Sequence, residues 1–81
     1  DGTRMRNQIY NAINDERDRQ DEKWGEQNHH PLFWSVILME ELGELSKAII
    51  DKESTDRIKA EVIQVAAVSI AFLEYLERSS K

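Results

Sequence analysis

Glu40-Glu41-Leu42-Gly43-Glu44 and Glu61-Val62-Ile63-Gln64 interrupt the two most apolar stretches of this chain, and their placement decides how the chain folds. The first lies in a stretch from Pro31 to about Lys52, whose Leu38, Leu42, Leu45 and Ile49 recur at helical spacing and predict a buried seam. The second opens a stretch from Val62 to Leu73 that is apolar on every side except at Gln64 and Ser69. A helix of that kind is central, not peripheral. Between the two, the polar stretch 51–56 reads as a turn, so the spacing predicts an antiparallel helix hairpin. In such a hairpin, residues at one level share a constant index sum. The pair Glu44 and Glu61 and the pair Glu41 and Gln64 share the same sum, whose midpoint falls between Lys52 and Glu53, inside the turn. Glu41 and Glu44, three residues apart, lie on one helix face, as do Glu61 and Gln64. Helix axes about 8 to 10 Å apart let opposed glutamates converge.

Working outward, a first helix is predicted from Thr3, a suitable N-cap, to Trp24. Ile9, Tyr10 and Ile13 give its first half a core face, whereas Asn14 to Lys23 is wholly polar. Gly25 suits a left-handed residue just past the helix end, with Lys23 at the negative end of the dipole. Residues 27–30 read as a loop, and Pro31 suits the first turn of the second helix. Ser54, Thr55 or Asp56 caps a third helix that runs to about Arg78. The expected fold is all-α: one domain over residues 1–81, a three-helix protomer with an antiparallel hairpin. Only 40% of the 81 residues are hydrophobic, and a lone domain of this size buries about 60% of its unfolded surface. A homodimer or dimer of dimers is expected, with four-helix bundles at its interfaces. Met5 is the first residue able to serve as a translation start.

Composition removes several function classes. With no cysteine there is no disulfide framework, sulfur-ligated metal or thiol nucleophile, which permits a cytoplasmic location. The longest apolar run, Pro31 to Met39, is too short for a membrane span, so no membrane partner is expected. A net charge of −5 argues against binding a nucleic-acid polymer, which needs Lys and Arg to displace counterions.

Carboxylates gathered in an apolar bundle repel one another and are costly to desolvate, so some are protonated or a cation sits among them. All-oxygen ligands favour Mg2+, Mn2+ or Ca2+ over zinc, and a magnesium ion in such a site usually completes its shell with water and substrate phosphates. A di-iron bundle would use Glu-x-x-His on its helices, and both histidines here lie in the loop.

The chain resembles the MazG-like, all-α nucleoside triphosphate pyrophosphohydrolases, related to the dimeric dUTPases and dCTP pyrophosphatases. Their pattern is Glu-Glu-x-x-Glu, a spacer, then Glu-x-x-Asp. Here Glu40-Glu41-Leu42-Gly43-Glu44 is followed by sixteen residues and then Glu61-Val62-Ile63-Gln64, matching four of five acidic positions. The lead-in from Glu16 to Gly25, ending Lys23-Trp24-Gly25, is also similar to small single-domain members, so the likeness spans about residues 10–76. Gln64 departs from the pattern: its amide oxygen is a possible ligand but brings no charge, which puts turnover in question.

The resemblance implies hydrolysis of a nucleoside triphosphate to a monophosphate and pyrophosphate, as in cleansing of the nucleotide pool. By that likeness Glu41, Glu44 and Glu61 are catalytic and hold the metal, Gln64 is a weaker fourth ligand, and Glu40, one residue off the face, orients water or a ligand. Trp24 falls where the related enzymes stack an aromatic on the base; packing at the bundle edge is the other reading. Trp34, seven residues before Glu41, walls a base pocket or packs in the core. His29 and His30 are candidate phosphate or base contacts, although loop histidines are usually solvated. Lys47, three after Glu44, is a candidate phosphate contact or a plain surface lysine. Gly43 costs about 1 kcal/mol inside a helix relative to Ala, which close approach of another helix or a ligand would explain. The alternative to an enzyme is a non-catalytic oligomerisation or nucleotide-binding module on the same scaffold.

Overall fold

A computed structural model describes residues 2–80 as three helices: α1 (Gly2–Trp24), α2 (Pro31–Ile50) and α3 (Thr55–Ser79). Local chemistry sets their ends. Gly25 adopts φ 69° and its N–H donates to the Asp21 carbonyl at 2.8 Å, closing α1 as the sequence predicts. α2 stops at Ile50, where Glu53 N–H donates to the Ala48 carbonyl at 3.0 Å with Lys52 in the left-handed region at φ 57°. Ser54 caps α3, its hydroxyl accepting from Arg57 N–H at 3.1 Å. Thr3 lies inside α1 and is not its cap.

As its all-round apolar sequence predicts, α3 is the central element, packing on both α1 and α2. Among the described residues, no Cα of α1 comes within 8 Å of one in α2. The α2–α3 pair is the antiparallel hairpin. Its core is Trp34, 1% exposed and stacked on Phe72 with centroids 5.4 Å apart, together with Val68 and Ala71. Ile37, Leu38 and Tyr75 pack around these.

Two expectations are corrected. The buried seam of α2 runs through Trp34, Leu38, Leu45 and Ala48, while Leu42 and Ile49 are 47% and 54% exposed. Both stripes have helical period, and the large aromatic at 34 fixes which of them turns to α3. In α1, Ile9 and Tyr10 are exposed and only Ile13 is half-buried, so the first half supplies little core. It is the polar half that docks: Gln20 is buried, and the side chains of Glu16 and Arg17 are only 13% and 12% exposed. Arg17 makes that possible by donating from Nε to Glu74 Oε1 at 2.9 Å, from Nη1 to Gln20 Oε1 at 3.2 Å and from Nη2 to Asp21 Oδ1 at 2.9 Å. Each charged group brought inward therefore meets a partner. No described helix is long and apolar enough to cross a membrane.

If Arg17 fastens α1 to α3, Arg17→Ala costs about 1.5–3 kcal/mol, the range for hydrogen bonds to charged groups. Asp21→Ala, at a residue exposed to solvent, costs at most about 1 kcal/mol. Thermal unfolding of the two variants checks this, and equal losses would contradict it.

Candidate functional site

Register does the assembly. With α2 and α3 antiparallel, Glu44 comes level with Glu61, and Glu41 follows one turn away on the same face of α2. Glu41, Glu44 and Glu61 each place a carboxylate oxygen within 4.8 Å of the others. The three differ in exposure. Glu61 is buried, Glu41 half-buried and Glu44 exposed, so the cluster runs from the interior of the hairpin to its surface.

Glu61 carries the strain of this arrangement. One turn earlier, Arg57 Nη2 meets its Oε1 at 2.9 Å. Its Oε2 is buried and has no hydrogen-bond partner. A buried carboxylate oxygen normally has a donor or a cation beside it, and here the neighbours are further carboxylates. Burial pushes the Glu41 carboxyl above its usual range, and the charges of Glu44, Glu61, Glu40 and Glu16 push it the same way. The donor set fits a hard divalent cation on two counts: it is all oxygen, and it leaves a buried oxygen unpartnered.

Around the cluster the side chains of α1 close in. Gln20 Nε2 donates to Gln64 Oε1 at 3.5 Å and to Glu16 Oε2 at 3.4 Å. Glu16 is held below the ordinary carboxylate value of 4.5 by hydrogen bonds from Arg19, then from Gln64 and Gln20, against the opposing effect of burial. Arg19 grips it from Nε at 2.9 Å and Nη2 at 2.6 Å.

Glu41 also belongs to the wall of a cavity of about 240 Å3, which Gln20, Trp24, His29, Trp34 and Gln64 help to line. A second hollow of about 430 Å3 shares Gln20, Gln27, Trp34 and Ala71 with it and is edged by Arg17 and Arg78. The open space next to the carboxylates is thus aromatic on one side and amide-lined on the other.

The predicted residues fare differently. Glu41, Glu44 and Glu61 come together, and Gln64 lines the same cavity as Glu41. Glu40 is exposed and outside the cluster, adding only its charge. Trp24 lines the cavity while 53% exposed, with Lys23 Nζ 4.7 Å from its ring centroid. Trp34 is both core and wall, and its buried Nε1 has no acceptor. His29 reaches the cavity edge-on to Trp34 at 5.1 Å, whereas His30 caps α2, its Nδ1 accepting from Leu32 N–H at 3.1 Å. Lys47 is exposed and its Nζ donates to Asp51 at 2.6 Å. Nothing lies within 4 Å of a Cβ built on Gly43, so the protomer itself does not explain that glycine. Sequence reasoning missed Glu16, Arg19, Gln20 and Arg57. The i,i+4 pair Glu16 and Gln20 was a signal of a kind, drowned in a run of ten polar residues, Asn14 to Lys23.

No family model matches the chain, and neither the curated proteins nor the solved structures contain a match to it.

The raised Glu41 carboxyl makes a prediction about pH. A carboxyl with a raised folded-state pKa favours folding while protonated, and that contribution is lost as pH rises above 4.5 through its folded value. Glu16, held low, acts oppositely: its contribution is present above 4.5 and lost only as pH falls further. In the metal-free protein the Glu41 contribution therefore grows as pH falls from neutrality towards 4.5, and below 4.5 the Glu16 contribution is lost. Glu41→Gln raises Tm at pH 7 by a few degrees and flattens the rise. Melting curves in chelator across that range check it, and a wild-type Tm that falls steadily from pH 7 to 5 would contradict it.

Proposed function

We propose that this chain is a magnesium-dependent nucleoside triphosphate pyrophosphohydrolase, releasing a nucleoside monophosphate and pyrophosphate, with a role in cleansing the nucleotide pool. The observation that carries the reading is the convergence of the three carboxylates around a buried, unpartnered Glu61 oxygen beside an aromatic-walled cavity. Glu41, Glu44 and Glu61 hold the cation, Mg2+ or Mn2+, with the Gln64 amide oxygen as a neutral fourth group. Bound magnesium supplies charge neutralisation at the phosphates and an activated water.

The remaining work falls to the chain's own groups. Trp24, exposed at the cavity rim, offers a stacking face for a base, and such stacking tolerates any base. Trp34 and Val68, both buried, give the cavity beside Glu41 an apolar wall. Arg57 holds one oxygen of Glu61, so the carboxylate presents the other inward. Glu40 acts from outside the cluster through its charge, and neither His30 nor Lys47 has a free side chain aimed at the cavity.

The same reading includes self-association. Met39, Leu42, Ile49 and Ile50 are 72%, 47%, 54% and 76% exposed and recur at helical spacing on α2. A face of this kind marks an interaction surface. A second copy laying its own α2 there makes a four-helix bundle and accounts for Gly43 in the same stripe. Paired Leu42→Glu and Ile49→Glu substitutions leave a monomer by sedimentation; an unchanged oligomer, or a wild-type monomer, rejects this assembly.

The activity is tested by pyrophosphate release from a panel of ribo- and deoxyribonucleoside triphosphates, with magnesium and then with excess chelator. Release is expected with magnesium only, and Glu41→Gln lowers it by about 10³-fold or more, the scale of losing a principal source of electrostatic stabilisation. Activity surviving in that variant removes the assignment of Glu41. Silence across the panel from a folded oligomer selects the non-catalytic nucleotide-binding or oligomerisation module, a reading favoured by the contact of Gln64 with Gln20.

A further inference from the structure

We propose that Arg57 binds a substrate phosphate, exchanging its ion pair with Glu61 for the nucleotide once a cation is held by the carboxylate cluster. The inference rests on the nucleotide reading above and gives the phosphates a protein partner that this reading lacks. Arg57 stands in the first turn of α3, where the Ser54 hydroxyl accepts from its backbone N–H at 3.1 Å. Its main chain is therefore fixed, and the side chain alone is free to swing. That side chain is 56% exposed and its Nη2 lies 2.9 Å from Glu61 Oε1, whereas the Glu61 side chain is 8% exposed. The guanidinium thus stands at the solvent edge of the cluster, anchored on one oxygen of a buried carboxylate.

Charge gives Arg57 a reason to move. Among the described residues it is the cationic side chain recorded against the cluster, and it compensates one Glu61 oxygen while the other, Oε2, has no partner. That orphaned, buried oxygen is the independent sign that a cation belongs here. With a divalent cation on Glu41, Glu44 and Glu61, the carboxylate no longer needs Arg57, and two cations on one carboxylate repel each other. An ion pair with one half-exposed partner is worth little by itself, so it is the one that gives way. A nucleoside triphosphate then brings several negative charges to the same place. Oxygen ligands of one magnesium ion crowd to within about 3 to 4 Å of one another, so a side chain touching one of them reaches the others. Other cations are already engaged: Lys47 with Asp51, Arg19 with Glu16 and Arg17 with Glu74. Arginine also suits the task, since its planar fork donates two parallel hydrogen bonds to a phosphate.

Calorimetric titration of the full chain tests the exchange, first with Mn2+ alone and then, at saturating Mn2+, with α,β-imido analogues of the nucleoside triphosphates. Arg57→Gln binds Mn2+ alone about 2- to 5-fold more tightly, the scale of removing a partly exposed ion pair that competes for Glu61. The same variant binds the analogues about 10-fold or more weakly, the scale of losing a hydrogen bond to a charged group. A residue that merely props up Glu61 would weaken both, so the opposite signs separate the two roles. Arg57→Lys keeps the charge without the fork: its Mn2+ affinity stays near wild type and its analogue affinity falls between wild type and Arg57→Gln. If Arg57→Gln binds the analogues as wild type does while Glu41→Gln binds neither ligand, the phosphate role is overturned and the cation site stands. Parallel losses of both affinities overturn it as well. If wild type binds Mn2+ and none of the analogues, the nucleotide reading fails and takes this role with it. If wild type binds no Mn2+, the cation site itself is wrong and both fall. Should Arg57→Gln not fold by circular dichroism, Arg57→Lys decides: weaker analogue binding at unchanged Mn2+ affinity supports the role, and equal losses reject it.

Discussion

A carboxylate buried on the central helix, Glu61, is the constraint to which the rest of the structure answers. Ionised carboxylates are expensive to remove from water, and breaking up the groups that compensate one is more expensive still. Arg57 compensates one oxygen from the preceding turn of the same helix, at no cost in tertiary ordering. The other oxygen has no donor, and the side chains level with it on α2 are Glu41 and Glu44. Packing alone would select against this juxtaposition, since any apolar residue at 61 would seal the hairpin better. The register that creates it is nevertheless held firmly by Trp34, locked against Phe72 one end of the hairpin away. Aromatic stacking thus holds together what electrostatics would part. Protonation of Glu41 relieves the conflict partly, and a divalent cation would relieve it fully.

The same constraint explains why α1 presents its polar side to α3. The face of α3 next to Glu61 carries Gln64, and an apolar helix laid there would leave the amide without partners, at about 1–3 kcal/mol for each unsatisfied group. Gln20 meets its oxygen and also donates to Glu16, whose charge Arg19 neutralises, while Arg17 binds Glu74 of α3. The helix that looks too polar to pack is the one whose polarity the site requires. In consequence Met5, Ile9 and Tyr10, in the first half of α1, are left facing outward.

This division sets what the sequence could disclose. The hairpin, its level matching and the convergence of Glu41, Glu44 and Glu61 were legible because they depend only on helical period and one turn. Gly25 was legible because such stops are local, and Ser54 was one of three neighbouring candidates for the cap of α3. The phase of the α2 seam was not, since Leu42 and Ile49 repeat with the same period as Trp34, Leu38 and Ala48. Periodicity marks a face that avoids water without saying whether the chain's own helix or another molecule covers it. Glu16 and Gln20 were hidden for the opposite reason. A buried polar residue is conspicuous in an apolar helix, as Glu61 is, and invisible among ten polar residues. His30 shows a third limit, because a loop histidine and a helix cap have the same sequence, and only the Leu32 N–H contact separates them.

Cluster and cavity share Glu41, and that one residue links charge to shape. A cavity of about 240 Å3 is small beside the roughly 300–1,000 Å3 of usual ligand sites, and Trp34 and Gln27 are wall residues both of it and of the hollow of about 430 Å3. The first has Glu41 in its wall, and the second has Arg17 and Arg78, each paired with a carboxylate. Trp34 lies where the two meet, its Nε1 without an acceptor in an otherwise satisfied core. The two orphaned atoms thus lie on different helices and are of opposite polarity: a divalent cation would answer the Glu61 oxygen, while the indole N–H is enclosed by the same packing that holds the hairpin together.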